Sequence, residues 1–318
     1  MGFATSKIKN NLEKKLDFSR FYRKLSFEEI AIINKQLVST LKIFDLICRE
    51  AGLQYALVAG ALIGAMRDGH CIPWDDDIDL VMPRKDYESF RSALMRSEYR
   101  DRYEIKYPEE NTVITMGAHF YEKDVCLRNL ISDEIGTSRI FEDVIYLDIL
   151  PIDYCPDSEL SYKLVGSLVN MLQMGYISRR CFRANDPYIN YLAGFDRDLK
   201  ANLLLRKAFS LPFFLLGKKN IFRILKKLLS SSQDTARITV AFGALRYFGE
   251  TTPADVWLPT SEAQLEGCSF MAPNKPEEYL INRYGDYTTI PSREEQEERM
   301  VRLRQDWEDY IYPKEKRV

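Results

Sequence analysis

The chain has 318 residues, of which 46% are hydrophobic and 12% aromatic, and its formal net charge is −2. This apolar content is enough for a substantial core and excludes a disordered chain. The balanced charge argues against a nucleic-acid partner. Two histidines are too few for a His-rich metal site, and they make a Ser-His-Asp triad a poor hypothesis.

The six cysteines are scattered along the chain, and no two of them form a C-x-x-C pair. This pattern predicts mostly reduced thiols in a cytoplasmic protein. We expect no signal peptide, because the first thirty residues lack a long apolar segment. The most apolar stretch, residues 208–216, is much shorter than a membrane-spanning helix requires.

The first clear element is a helix that follows a basic lead-in at residues 1–25. Ser26 and Glu29 form a capping-box pattern. Apolar residues then recur at helical spacing to about Glu50, and Gly52 is expected to end the helix.

Short strands and helices are predicted to alternate after Gly52. Gly60 and Gly64 are expected to bracket a tight turn into a short helix that ends near Arg67. This alternation predicts an α+β fold with a small mixed sheet flanked by helices. The other predicted elements are strands at 54–59, 78–82, 112–121 and 144–150 and a helix at 86–95.

The second half of the chain is predicted to be mainly helical from 160 to 248. Residues 209–229 combine large apolar side chains with five basic ones. One interpretation is an amphipathic surface on an anionic membrane, where a lipid-linked acceptor could be met. We favour the other, a helix that packs on the core with its basic face in solvent. The last twenty-five residues are predicted to form a charged helix anchored by Trp307 and Tyr310.

The most informative segment is residues 72–79, Ile-Pro-Trp-Asp-Asp-Asp-Ile-Asp, beside an apolar run. Alternate strand side chains share a face, so Asp75, Asp77 and Asp79 are predicted to project together. Like charges at that spacing repel unless a cation lies between them. Mg²⁺ prefers carboxylate oxygens together with substrate phosphates, which favours a metal-dependent phosphate-transfer site over a solvated turn.

Asp148 is a further carboxylate inside an apolar, strand-like run, between Leu147 and Ile149. Considered without the other carboxylates, Asp148 would be explained by an edge strand on which its side chain faces water. Beside the earlier cluster, a third catalytic carboxylate is the better hypothesis. Asp75 is the weaker metal-ligand candidate because it precedes the strand, and Asp76 is expected to point away.

Residues 60–67, Gly-Ala-Leu-Ile-Gly-Ala-Met-Arg, followed by the acidic segment, resemble the LicD family of phosphotransferases. That family includes cholinephosphotransferases of bacterial surface glycans, and fukutin and fukutin-related protein are its relatives. The resemblance covers about residues 26–290. The other segments that resemble family motifs are 84–87, 146–153, 248–250, 257–259 and 284–286.

The resemblance implies a nucleotidyltransferase-like fold and transfer of a phospho-alcohol, commonly phosphocholine from CDP-choline, to a sugar hydroxyl. Two departures concern the donor: Ala61 stands where the family often has Thr, and residues 119–121 lack an expected basic side chain. Glycerol-phosphate or ribitol-phosphate transfer, nucleotidyl transfer to a small acceptor, and a non-catalytic scaffold remain alternatives. The implied domains are the lead-in 1–25, a catalytic core at 26–160, a helical region at 161–248 and a completing segment at 249–318.

On this interpretation Asp77 and Asp79 hold one or two Mg²⁺ or Mn²⁺ ions, and Asp148 completes the site and takes the proton of the attacking hydroxyl. The expected partners are a CDP-alcohol donor and a glycan or lipid-linked oligosaccharide acceptor, at the inner face of the membrane if the basic segment binds lipid.

The four donor-binding candidates are Gly60, Gly64, Arg67 and Trp74. The glycines would let backbone N–H groups approach the donor phosphates closely. Arg67 would steady the same phosphates or pair with a nearby Asp. Trp74 would stack on the base or anchor the loop.

Overall fold

The computed structural model describes residues 22–110, 115–126, 144–179, 197–230, 234–300 and 302–304. Nearly all of the lead-in lies outside these ranges, as do Trp307 and Tyr310. The strands are β1 (Tyr22–Lys24), β2 (Ala56–Leu57), β3 (Ile78–Pro83), β4 (Tyr103–Lys106), β5 (Ala118–Cys126), β6 (Val144–Tyr154), β7 (Arg237–Thr239), β8 (Thr251–Pro253), β9 (Ser261–Leu265), β10 (Cys268–Ala272) and β11 (Arg302–Arg304).

The described helices lie between these strands. A 3₁₀ turn at Ala254–Val256 follows β8. The α-helices are α1 (Phe27–Ala51), α2 (Ala59–Arg67), α3 (Arg84–Arg96), α4 (Glu159–Ser178), α5 (Arg197–Leu216), α6 (Lys218–Leu229), α7 (Arg246–Gly249), α8 (Pro276–Tyr284) and α9 (Arg293–Arg299).

The central sheet is mixed, with strand order β2-β3-β6-β5-β4. The pairing of β3 with β6 is parallel, whereas β2–β3, β5–β6 and β4–β5 are antiparallel. The long strand β6 also pairs with β7 at its carboxyl end, and β7 pairs with β8. This mixed sheet flanked by helices confirms the predicted α+β class.

Helix α1 begins and ends where the sequence predicted. Ser26 Oγ accepts a hydrogen bond from the Glu29 N–H, and the Glu29 carboxylate accepts one from the Ser26 N–H. Gly52 ends the helix in the left-handed conformation, with φ 65°. Such a reciprocal cap typically contributes about 0.5–2 kcal/mol.

Aromatic side chains join α1 to the sheet and to α3. The rings of Phe44 and Phe90 stack at 4.5 Å, and Phe120 of β5 lies 5.6 Å from Phe44 and 5.4 Å from Phe90. All three are fully buried. Offset and edge-to-face contacts of this kind add about 0.5–1.5 kcal/mol each beyond the burial itself, so this trio holds α1, α3 and β5 together.

Several element predictions were wrong in detail. Gly60 and Gly64 lie inside α2 and do not bracket a turn. The strand expected at 112–121 is β5, and residues 111–114 lie outside the described ranges. Strand β4 was not predicted because its alternation covers four residues only.

The region predicted as helical to residue 248 also contains the strand β7, which pairs with the end of β6. Most of the expected charged C-terminal helix lies outside the described ranges; within them, α9 is followed by β11, which pairs with β1. Long-range strand pairing therefore overrides the local helical pattern at both places.

The described residues form two hydrophobic cores. The larger joins α1, α2, α3 and the central sheet to Trp257, the β9–β10 hairpin and α8. The smaller lies among α4, α6 and the residues after β7, with Val169, Tyr176 and Leu225 at its centre. Segments after residue 249 thus share the core of the sheet, and the domain boundaries given above stay a prediction.

The pair formed by Arg84 and Asp153 generates a stability prediction. Arg84 Nε and a terminal N–H donate to the two Asp153 oxygens at 2.7 and 2.6 Å, and the Asp153 side chain is 1% exposed. Asp153→Asn removes one buried charge and leaves the other unpaired, so we expect a loss of about 3 kcal/mol in the free energy of unfolding.

Urea unfolding measures this loss. The control is Glu297→Ala, which removes the exposed pair with Arg293 and is expected to change the free energy by less than about 1 kcal/mol. Equal effects of the two variants would contradict a structural role for the buried pair.

Candidate active site

The parallel pairing of β3 with β6 brings two predicted site residues together. Asp79 lies directly opposite Asp148 in the register of the two strands. Residues opposite each other in a sheet project from the same face, so the two carboxylates are neighbours. The Val58 N–H donates to the Asp79 carbonyl at 3.2 Å, which ties the entry of α2 to the same point of β3.

Asp75 and Asp77 lie in the loop that precedes β3, since the strand begins at Ile78. Strand alternation therefore does not place them, contrary to our expectation. Helix α1 fixes the backbone of this loop at Asp75. The buried Asn34 amide donates to the Asp75 carbonyl at 3.0 Å and to the Ile72 carbonyl at 3.4 Å.

We call Asp75, Asp76, Asp77, Asp79 and Asp148 the acidic cluster. Burial is the largest cause that raises the pKa of each of them. It raises the pKa of Asp75 to about 7, with added repulsion from Asp77 and Asp76. It raises the pKa of Asp148 to about 7, where the charge of Asp77 adds to it.

Burial also holds the pKa of Asp79 well above its usual range, and the charges of Asp77, Asp148 and Asp75 act in the same direction. The pKa of Asp77 is raised by burial as well. Asp76 was expected to point away from the others. Burial and the charge of Asp77 raise the pKa of Asp76 to about 6, so the Asp76 carboxylate is close enough to Asp77 to feel its charge. The structure thus brings the predicted carboxylates into one electrostatic unit.

The carboxylate oxygens of the acidic cluster fit a hard divalent cation that is also bound by the phosphates of a substrate. Asp148 Oδ1 is buried and has no hydrogen-bond partner among the described residues. Within that part of the chain, no three His, Cys, Asp or Glu side chains form a set that could hold a metal ion by themselves. Mg²⁺ usually binds one or two carboxylates together with substrate phosphates, so the pair Asp79 and Asp148 suits it without a third protein ligand.

Glycines leave room for these carboxylates. A Cβ at Gly60 would lie 1.7 Å from Asp75 Oδ2, and one at Gly117 would lie 1.8 Å from Asp148 Oδ1. Gly64 faces backbone instead, with its added Cβ 2.4 Å from the His70 carbonyl oxygen. Gly60 therefore borders the site, whereas Gly64 lets α2 approach the loop that follows it.

Arg67 and Trp74 lie beside each other next to the acidic loop. Arg67 Nε donates to Asp68 Oδ2 at 2.7 Å, and its guanidinium lies 5.7 Å from the centre of the Trp74 ring. Trp74 is buried in the larger core. These contacts agree with the alternatives of an Arg67–Asp pair and a loop-anchoring Trp74.

Residues 284–286 were noted only as a segment that resembles a family motif, and sequence reasoning gave α8 and α9 no role at the site. Burial raises the pKa of the Tyr284 hydroxyl, and the charges of Asp79 and Asp75 act in the same direction, so this tyrosine lies near the acidic cluster. Arg299 is the cation whose charge lowers the pKa of Asp75. No periodicity or local spacing points to either residue, because only the fold returns the C-terminal segment to the site.

His119 was also missed as a site neighbour. It lies opposite Asp148 in the β5–β6 pairing and is 2% exposed. Its ring stacks on Tyr146 at 3.7 Å, two residues before Asp148 on the same face of β6. The two-residue alternation of β6 could have identified Tyr146.

The fold and the site define an α+β domain with a carboxylate-rich centre. A family model described as LicD/FKTN/FKRP, nucleotidyltransferase domain, matches residues 52–126. The chain is also 25% identical over 276 residues to the lipopolysaccharide cholinephosphotransferase LicD of Haemophilus influenzae, a match that covers 85% of this chain and 96% of that protein. Together these matches support a LicD family phosphotransferase, as the sequence motifs predicted.

The two helix glycines generate a prediction about the site. Gly60→Ala is expected to displace the Asp75 side chain and lower activity, with little change in stability. Gly64→Ala meets a backbone carbonyl that cannot rotate away, so it is expected to cost about 1–3 kcal/mol in the free energy of unfolding.

Activity and urea unfolding of both variants check this difference. The control is the double variant Gly60→Ala/Asp75→Ala, which relieves the contact and should have the activity of Asp75→Ala alone. A further large loss in the double variant would show that Gly60 acts by some route other than Asp75.

Proposed function

We propose that this protein transfers a phospho-alcohol, phosphocholine from CDP-choline in the first instance, to a sugar hydroxyl of a cell-surface glycan and releases CMP. The observation that carries the proposal is the juxtaposition of Asp79 and Asp148 on neighbouring parallel strands, with Asp148 Oδ1 buried and unpartnered among the described residues. The Haemophilus influenzae relative is a lipopolysaccharide cholinephosphotransferase, which supports the choice of donor and acceptor class.

Phosphoryl transfer needs positioning and charge neutralisation more than covalent chemistry from the protein. Bound Mg²⁺ or Mn²⁺ would supply a Lewis acid that neutralises charge on the donor pyrophosphate. Two carboxylates together with the donor phosphates would hold the ion: Asp79 and Asp148 are the proposed pair, and Asp77 and Asp75 of the acidic loop are the alternative ligands. The pKa values of these carboxylates are raised by burial and mutual repulsion, and a bound cation would offset both effects.

The first turn of α2 is suited to the donor phosphates. Its N-cap residue, Val58, makes no side-chain capping bond, and although the Ala59 N–H is used by the Tyr279 side chain, the N–H groups that follow it in the first turn are proposed to bind the phosphates. Gly60 lies in that turn and next to Asp75. Arg67 is proposed to steady the phosphates, and Trp74, which is buried in the larger core, to anchor the loop that carries the acidic residues.

The transfer step itself is a single displacement. The acceptor hydroxyl gives its proton to the Asp148 carboxylate, and its oxygen forms a bond to the phosphorus of the phosphocholine unit. The bond from that phosphorus to the bridging oxygen breaks, and CMP leaves with the electron pair. Attack on the other phosphorus would instead place CMP on the acceptor, which is the nucleotidyltransferase alternative.

The acidic pair generates the main test. Asp79→Asn and Asp148→Asn are each expected to lower CMP release by more than about 100-fold in the presence of Mg²⁺, because each removes a charge from the proposed metal and phosphate site. Both should unfold at urea concentrations similar to those for the wild type, since burying one fewer like charge relieves repulsion.

Asp101→Asn is the matched control, since the Asp101 side chain is 92% exposed and far in sequence from the cluster. It should retain wild-type turnover, and EDTA should abolish the activity of both proteins reversibly. Wild-type rates from Asp79→Asn with Mg²⁺ would overturn the assignment of the metal site.

Donor identity needs its own measurement. With a panel of CDP-choline, CDP-glycerol and CDP-ribitol, we expect CMP release to be fastest from CDP-choline when a glycan acceptor is present. A preference for CDP-glycerol or CDP-ribitol would keep the reaction class and change the donor. Transfer of CMP to the acceptor, seen as a nucleotide-bearing product by mass spectrometry, would replace the proposal by nucleotidyl transfer.

A further inference from the structure

The helical region presents an apolar surface to solvent in addition to the face that it buries. On α4, Leu160, Leu164, Met171 and Met174 recur at helical spacing and form one exposed stripe, with Leu160 79% and Leu164 60% exposed. The opposite face of α4 is buried in the smaller core. The protein core covers only one of the two apolar faces of α4, so the other apolar face has no partner among the described residues.

The neighbouring helix α5 extends this surface. Leu205 and Phe209 of α5 line a cavity of about 210 Å³ together with Met174 and Ile177 of α4. Leu205 is 70% exposed. The α4 stripe thus continues through Met174 into the cavity, and the two helices form one apolar surface.

Two arginines, Arg206 and Arg246, line the same cavity. Within the described ranges neither guanidinium makes an ion pair with a carboxylate, and no acidic residue is among those that line the cavity. Arg246 has a left-handed backbone with φ 61°, a conformation that costs energy for a residue with a side chain. Leu245 and Phe248, on either side of it in the chain, are exposed apolar residues.

We propose that this surface docks on a lipid bilayer that contains anionic phospholipids. Apolar side chains at its centre would enter the boundary between headgroups and acyl chains, and the two arginines would contact headgroup phosphates. Among the described residues the cavity combines an apolar lining with two guanidinium groups that make no ion pair and with no carboxylate, which makes it complementary to an anionic amphiphile. Within the described residues no helix is long and apolar enough to cross a membrane, so the contact would lie in the membrane plane.

This surface differs from the one that the sequence indicated. The apolar side of α6 (Ile221, Leu225 and Leu229) is buried, and Lys226 pairs with Glu88 at 2.8 Å. The part of the 209–229 segment that forms α6 therefore packs on the core, as we favoured, whereas Phe209 of the same segment belongs to the proposed surface. Membrane contact is inferred for α4 and α5 instead, and it goes beyond the proposed function.

Vesicle co-sedimentation of the full chain tests the proposal. We expect binding to vesicles of mixed phosphatidylcholine and phosphatidylglycerol, weaker binding at high salt, and little binding to pure phosphatidylcholine. The triple variant Leu160→Gln/Leu164→Gln/Met171→Gln should bind at least about tenfold more weakly. Arg206→Gln and Arg246→Gln should each weaken binding about fivefold.

The matched control, Ile32→Gln/Met95→Gln/Ile290→Gln, changes three exposed apolar residues outside the surface and should bind as the wild type does. Thermal unfolding of every variant shows whether its fold is retained. No wild-type binding, or equal losses in the triple variant and the control, would overturn the proposal. So would a concentration-dependent dimer, seen by sedimentation velocity, that the α4 triple variant dissociates.

The assay contains neither donor nor acceptor, so its failure is independent of the proposed reaction. Catalytic activity without vesicle binding would overturn the proposed docking surface alone. A vesicle-binding protein without CMP release would remove the proposed function alone.

Discussion

The parallel pairing of β3 with β6 is the constraint on which the site depends. It sets Asp79 against Asp148, two carboxylates that are remote in sequence, on one face of the sheet. Close carboxylates in a partly buried setting repel each other and lose hydration, and both effects raise their pKa values. The protein keeps this unfavourable arrangement within a well-packed sheet, which is a sign of chemistry and not of stability.

The surrounding structure holds that arrangement from several directions. Asn34 of α1 binds the backbone of the acidic loop. The turn of the β9–β10 hairpin holds the preceding segment, since Glu266 accepts from the Cys71 N–H at 2.9 Å and its own N–H donates to the Gly69 carbonyl at 2.9 Å. The loop is thus fixed by elements far from it in sequence. A site that binds phosphates needs such support, because its side chains must be positioned within narrow limits.

The helical region serves a different physical purpose from the sheet. It has its own small core, and its outer face is apolar where a monomeric soluble domain would normally be polar. If the acceptor is lipid-linked, docking of this face would hold the carboxylate centre near the membrane that carries it. The proposed reaction and the proposed surface would then be two parts of one arrangement, although each is tested separately.

The sequence by itself determined what local chemistry can decide. The Ser26–Glu29 cap, the end of α1 at Gly52, the mixed sheet and the acidic segment all follow from spacing and residue type, and the motifs indicated the LicD family. Tertiary structure alone decided that Asp79 faces Asp148, that Gly60 and Gly64 lie within a helix, and that Tyr284 and Arg299 lie close enough to influence the acidic cluster. The reason is that strand register and the return of the C-terminal segment depend on contacts between residues remote in sequence, which local patterns do not encode.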